Sequence, residues 1–469
     1  MIRGSQETHV KTHHFSMEVP IEERTWSSIA ERIASLDIEG ELIRLILVDA
    51  NEERLVFEAS FAFTPYTPAW PSLLSPAPIY PQSTNGPSVV VNIIPTGVRA
   101  DIGGFAGDAT PSANLLAATC DYLVTNPNTV TASDLYYAAD NIQYLEGNLI
   151  CRFLTGQVDL LPGLQRKLGI LIEKPVKNIF LNNVLNAINA MRTVGGLRIE
   201  PVMVTEHPIK TYCEYSQFGH AIGRYGDLDE LMAGLHSMAK QGVGSVGLST
   251  TLEVPQEIRE SYYAGDEIPN PWGSAEAILT HLATTYFPVT SAHSPLLLDY
   301  DHTMFGTLGD PRDGAELISS AFLCSMIRGL SKSPGLLSSS VPLRPSETRI
   351  SVNNVRAVVL PESVVGNIPF LAAIERHIPV ILVRGNKTIS DVTPKKLGLE
   401  AQGYSIYTVD NYMEAAGCLL ALEKGIEPTA LRRPFAPISL QKLSEHVEHH
   451  PDEALQNRIL SVSAEKGLT

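Results

Sequence analysis

Short apolar runs that alternate with helical patterns constrain this chain more than any other feature. SVVVNIIP (residues 88–95) precedes SANLLAATCDYL, KLGILIE precedes FLNNVLNAINAMRTV, and DLDELMAGLHSMAKQ precedes VGSVGLS, with EPVMVTE between. The pattern returns as VRAVVLP, NIPFLAAIERH, IPVILVRGN, YSIYTV and YMEAAGCLLALEKG. Strand-length runs without polar alternation are buried on both faces, as happens when helices cover both sides of a mostly parallel sheet. The expected fold is therefore α/β, with two Rossmann-like parallel-sheet units at residues 88–255 and 346–469, the second ending in C-terminal helices. Residues 256–345 read as a helical, irregular connecting region with helices at SAEAILTHLATTYF and AELISSAFLCSMIRGL.

Residues 1–63 read as a small α+β module: a strand at HVKTHHFSMEVP, a helix at TWSSIAERIASL, and a hairpin turning at Asp49-Ala50-Asn51. Seven prolines over residues 64–87 interrupt helices and ladder hydrogen bonds alike, so that stretch reads as a linker. EHVEHH near residue 450 reads as a polar, exposed helix.

Charge and cysteine usage exclude some functions. Lys plus Arg total 35 against 51 Asp plus Glu, a formal charge of −16, which leaves no basic footprint for nucleic acid. No apolar run approaches the roughly 18 residues of a membrane span, and the polar start MIRGSQETHVKTHH lacks a leader's apolar stretch, so a cytoplasmic location without a membrane partner is expected. Cys120, Cys151, Cys213, Cys324 and Cys418 are scattered and read as reduced core thiols.

Chemistry in an open α/β sheet sits at the carboxyl ends of strands, which directs attention to the loops there. PTGVRADIGGFAGDATP, residues 95–111, is far longer than an ordinary βα loop. Thr96, Gly97, Arg99, Asp101, Gly103 and Gly104 could form a carboxylate or phosphate cradle ahead of a helix N-terminus, with Asp108 as a proton-transferring acid. In the alternative reading, Asp108 or Thr110 merely caps that helix. Asn126 and Asn128 in TNPN could bind a substrate or simply make a turn. Glu146 lies in an apolar helical stretch, where it is either buried with a raised pKa or faces water.

The densest acid and histidine cluster is PNPWGSAEAILTHLATTYFPVTSAHSP, residues 269–295. Glu276 and His281 fall about 140° apart on a helix, so the spacing gives little sign of a metal pair. His293, at a strand end, is a candidate general base or a satisfied core histidine. Asn270 and Trp272 enter the helix; Arg312, between Asp310 and Asp313, opposes a helix dipole and so is a candidate ligand contact. Gly366-Asn367 and Asn386 could close over a ligand from the opposite side or make structural turns. Neither a nucleophile elbow nor a zincin motif is present, and Ser249 has no evident base.

In IIPTGVRADIGGFAGDATP, VTNPN, YLEG, NPWGSAEAILTH, SAHSP and IPVILVRGNKTISDVTP the chain resembles the family called domain of unknown function 3326, over about residues 88–430. The resemblance implies an α/β metabolic enzyme and nothing narrower. The expected function is acid/base chemistry on an anionic or amide-bearing metabolite, as an isomerase, lyase or C–N hydrolase, in a cleft between two α/β units. Asp108, Glu276 and His293 are the expected proton-transfer groups; Thr96, Gly97, Arg99, Asp101, Gly103, Gly104, Asn126, Asn128, Arg312 and Asn386 are the expected substrate contacts. No resident metal is expected, and no cofactor is assigned. The alternatives are a metal-assisted hydrolase using His281 and His293, or a noncatalytic metabolite sensor. Expected partners are a small molecule and, from the habit of two-lobed α/β proteins to pair, a second copy of the chain.

Overall fold

The computed structural model describes residues 9–75, 77–80, 86–105, 108–126, 138–163, 166–299, 308, 310–314, 322–341, 348–399, 403–435 and 438. Residues 1–425 make one compact unit and residues 426–469 another, whose described part carries a 3-10 turn at Pro428–Leu431. Asn128 and EHVEHH lie outside the described residues.

The N-terminal module comprises β1 (Lys11–Pro20), α1 (Trp26–Ala34), β2 (Glu41–Ala50) and β3 (Arg54–Phe63), with an antiparallel sheet in the order β1-β3-β2. Thr25 and Ser28 cap α1 reciprocally. The hairpin turns slightly later than expected, because the Asn51 side chain accepts the amides of Glu53 and Arg54.

Beyond it follow β4 (Val89–Asn92), α2 (Thr110–Ala117), β5 (Tyr122–Thr125), β6 (Ile142–Tyr144), α3 (Gly147–Leu154) and β7 (Val158–Leu161). Next are β8 (Lys167–Ile172), α4 (Asn178–Thr193), β9 (Ile199–Val204), β10 (Thr211–Tyr215), β11 (Ala221–Tyr225), α5 (Asp229–Lys240) and β12 (Val243–Glu253). The chain continues through α6 (Gln256–Tyr263), α7 (Gly273–Tyr286), β13 (Thr290–Leu296), α8 (Phe322–Ser331) and β14 (Gly335–Ser338). It ends its first unit with β15 (Val355–Pro361), α9 (Ile368–Glu375), β16 (Val380–Val383), β17 (Ile406–Val409) and α10 (Tyr412–Glu423).

The fold is mixed α/β, with two six-stranded sheets. One, in the order β17-β16-β15-β4-β5-β6, is parallel throughout. It joins strands from residues 89–144 to strands from residues 355–409, so the two stretches expected as separate units share a sheet. The other sheet, β11-β10-β12-β8-β9 with β13 on β12, is inserted in sequence between β6 and β15. Its only described antiparallel pair is β10 with β11.

The period-two geometry of strands explains why the parallel sheet is apolar throughout. Val89, Val91, Val358 and Leu360 enter one core with residues of α3 and α9, while Val90, Ala357 and Val359 enter another with residues of α2 and α10. The N-terminal module does not keep a core of its own: Trp26, Ile29, Phe57 and Phe61 belong to the first of these.

Residues 64–75, expected as a linker, form a pinned strap. Trp70 and Leu73 are buried. The Trp70 indole donates to the Thr284 carbonyl at 2.9 Å, and the Ala69 amide donates to the Thr285 carbonyl at 2.9 Å, satisfying buried acceptors that the last turn of α7 leaves without an intrahelical donor. The wholly buried Arg152 of α3 donates to the Pro71 carbonyl, and Gln157 donates to that of Ser72. Prolines remove the strap's own ladder donors, and side chains from the body satisfy its carbonyls instead.

Candidate functional site

Strands β4, β5 and β6 end in register, with Asn92 opposite Thr125 and Thr125 opposite Tyr144. The segments leaving these carboxyl ends carry Thr96, Asn126 and Glu146 into an open cavity of about 490 Å³, solvent at its mouth included. The facing wall is α7, through Gly273, Glu276, Ala277, Thr280 and His281, with His293 of β13 behind it. Those α7 positions form one helical stripe, and Glu276 and His281 are its two edges, about 140° apart. The 140° between them, which gave little sign of a metal pair, still leaves both on the lining of one cavity.

Glu146 is not within a helix but caps α3, accepting the amides of Asn148 (2.9 Å) and Leu149 (3.3 Å). Its carboxylate is also bonded by Thr284 Oγ1 at 2.8 Å, Thr280 Oγ1 at 3.1 Å and His281 Nδ1. Burial pulls its pKa up, but the His281 charge and hydrogen bond, followed by Thr284 and the Leu149 amide, outweigh burial and hold it below the usual carboxylate range. The acid is therefore buried as one reading expected, with the opposite pKa shift. A carboxylate can only accept here, which puts a proton on His281 Nδ1 and leaves Nε2, without a hydrogen bond among the described residues, for a ligand.

The second pair is arranged the other way round. His293 accepts from or donates to Thr250 Oγ1 through Nε2 at 2.8 Å, and its Nδ1 lies 3.3 Å from Glu276 Oε1 without the alignment of a hydrogen bond. The His293 side chain is 2% exposed and that of Glu276 is 28% exposed, whereas Glu146 is 1% and His281 14% exposed. One pair thus presents an imidazole with a carboxylate behind it; the other presents a carboxylate with an imidazole behind it.

The glycine-bearing loop contributes less than expected. Thr96 lines the cavity, and Gly97, at φ +81, accepts the Ala221 amide. Beyond them the loop is packed shut: a Cβ on Gly103 would stand 2.4 Å from Ile94, and one on Gly104 2.2 Å from the Ala100 carbonyl. Asp108 accepts the Gly103 amide at 2.6 Å and is not among the cavity residues. Asn386 bonds both the amide and the carbonyl of Ile102, so it pins the loop. Arg99 Nη1 lies 4.0 Å from both Asp101 and Glu267, and Arg312 is bidentate with Asp310 while its guanidinium covers the Phe105 ring at 4.7 Å. These charges lie apart from the cavity lining. Asn126 reaches the cavity while bridging the amide and carbonyl of Ile94. Asn367 caps α9, Gly366 packs on Leu47, and Trp272 packs against Tyr262 and Tyr263.

Among the described residues no group of three or more His, Cys, Asp or Glu is placed to hold a metal ion. Burial pushes the thiols of Cys120 and Cys151 up to about 12, so both stay protonated at neutral pH.

A family model described as a protein of unknown function, DUF3326, matches residues 89–432. The chain belongs to this family. All the cavity residues fall inside the DUF3326 region, and the N-terminal module and strap fall outside it. An uncharacterised lipoprotein of Synechococcus sp. is 28% identical over 344 residues, which is 73% of this chain and 92% of that protein. No solved structure matches. The name of that relative corrects the expected cytoplasmic location. That expectation rested on the lack of a span-length apolar run and of a leader's apolar stretch. No helix among the described residues is long and apolar enough to cross a membrane.

Proposed function

We propose that this DUF3326 protein is an enzyme that moves protons on a small polar or amide-bearing metabolite held in the cavity. What supports the reading is the reciprocal exposure of the two pairs: His281 over Glu146, and Glu276 over His293, facing one space at the carboxyl ends of parallel strands. Glu146 fixes the His281 ring so that Nε2 meets the ligand, the role a buried carboxylate plays toward histidine in many hydrolases. Glu276 supplies a second group of different chemistry. A step that removes a proton at one position and returns one at another uses such a set, as in isomerisation, elimination or C–N hydrolysis.

The test is a metabolite mixture incubated with the protein in D2O and followed by mass spectrometry. Conversion or deuterium uptake is expected with the wild-type chain and should fall about 10²–10⁴-fold in His281→Asn and Glu276→Gln, the usual weight of one acid/base group. Identical profiles for wild type and both variants would sink the reading. Ligand binding without any turnover would favour a sensor instead.

A further inference from the structure

We infer that the cavity receives an ammonium or amide N–H donor rather than a carboxylate or phosphate; the inference rests on the acid/base reading above and narrows its substrate. The ionisable side chains of the described lining are Glu146, Glu276, His281 and His293, with no Lys or Arg among them. The arginines expected to hold an anion are not among the lining residues: Arg312 is paired with Asp310, and Arg99 Nη1 lies 4.0 Å from Asp101 and Glu267.

The strongest argument for an anion is that α3 and α7 both begin at the cavity, with Gly147 and Gly273, and helix N-termini attract negative charge. Here that attraction is already answered from within the chain. Glu146 takes the amides of Asn148 and Leu149, Asn270 takes those of Trp272 and Gly273, and Glu276 occupies the first turn of α7. What remains for a ligand is one charged group, and it is an acceptor. Glu276 is the more exposed of the two carboxylates, and Thr96, whose hydroxyl can donate or accept, lines the same cavity. Beside Glu276, the almost wholly buried His293 keeps an Nδ1 with no aligned partner. N–H donors bond a half-buried carboxylate strongly, whereas an incoming anion meets like charge where water screens it poorly.

Three probes of one shape and different headgroup test this: benzylamine, benzamide and benzoate, with inorganic phosphate as a fourth. Binding to the full chain is read by saturation-transfer NMR and by the shift of the His281 ring signal. Benzylamine and benzamide are expected to bind about tenfold or more tightly than benzoate, and Glu276→Gln is expected to narrow that gap by lowering benzylamine affinity and raising that of benzoate. The wild-type ranking stands even if the variant fails to fold. Preference for benzoate or phosphate would overturn the ligand class while leaving proton transfer by His281 and Glu276 intact. If no probe moves the His281 signal, both this inference and the reading of the cavity as a ligand site fail.

Discussion

At the scale of single residues, the cavity depends on side chains that are absent as much as on those present. Gly273 opens α7, and a Cβ there would stand 2.7 Å from Thr96 Cγ2. Alanine is otherwise the better helix former by about 1 kcal/mol. Gly273→Ala should therefore leave thermal stability unchanged or lower while weakening ligand binding, a split that calorimetry with benzylamine and a melting curve would expose. A rise in both would contradict the placement of Thr96 and Gly273 on the cavity wall. Glu146 carries the opposite kind of constraint, because its carboxylate ends a buried network of two hydroxyls, two amides and an imidazole. Glu146→Gln replaces an acceptor by an amide group that turns N–H donors on donors. Urea unfolding should show a loss of roughly 1–3 kcal/mol, the cost of leaving buried polar groups unmatched. His281→Asn, at a partly exposed position, should cost less.

Among the elements, the parallel strands and their helices were legible because burial on both faces leaves an unmistakable apolar run. The strap was not. Proline density predicts where regular ladders fail, but says nothing about carbonyls that another element can satisfy; Arg152 and Gln157 satisfy those of the strap, and Trp70 of the strap donates in turn to Thr284. Glu146 was seen in the sequence without its role, since the three residues from α7 that bond it are more than 130 positions away. Spacing at 273, 276, 277, 280 and 281 was the available signal for the cavity wall, and it was read as a pair of residues rather than a stripe. The strap closes the same helix from behind: Thr284 bonds Glu146 through its hydroxyl and Trp70 through its carbonyl. Trp70→Phe keeps the ring and removes the donor. Hydrogen exchange at the last turn of α7 should quicken, with a stability loss of about 1–2 kcal/mol, and protection unchanged from wild type would mean the strap merely lies against the body.

Over the whole molecule, the division into sheets could not be read locally. Val89 pairs with Val355, so the parallel sheet is completed across an insertion that contains the second sheet. No periodicity in a short window encodes such a pairing. The same long-range assembly buries carboxylates whose partners are distant in sequence. Glu58 of β3 is buried facing His14 Nε2 at 3.7 Å and His220 Nδ1 at 3.4 Å. Burial raises its pKa, but the proximity of His14, His220 and Ser216, with the Arg44 charge, outweighs that and depresses it strongly. Glu146 is depressed for parallel reasons. A carboxyl whose folded pKa lies below its unfolded value of about 4.3 stabilises the native state fully above that value and ceases to do so as pH falls through the folded pKa. Two such groups tie the N-terminal module and the cavity to the body, so stability measured by urea titration should hold from pH 7 to about 5 and drop steeply below about 4. The variants Glu58→Gln and Glu146→Gln should each start from lower stability and show a shallower acid limb. An acid limb as steep in both variants as in the wild-type chain would assign the transition to other carboxylates.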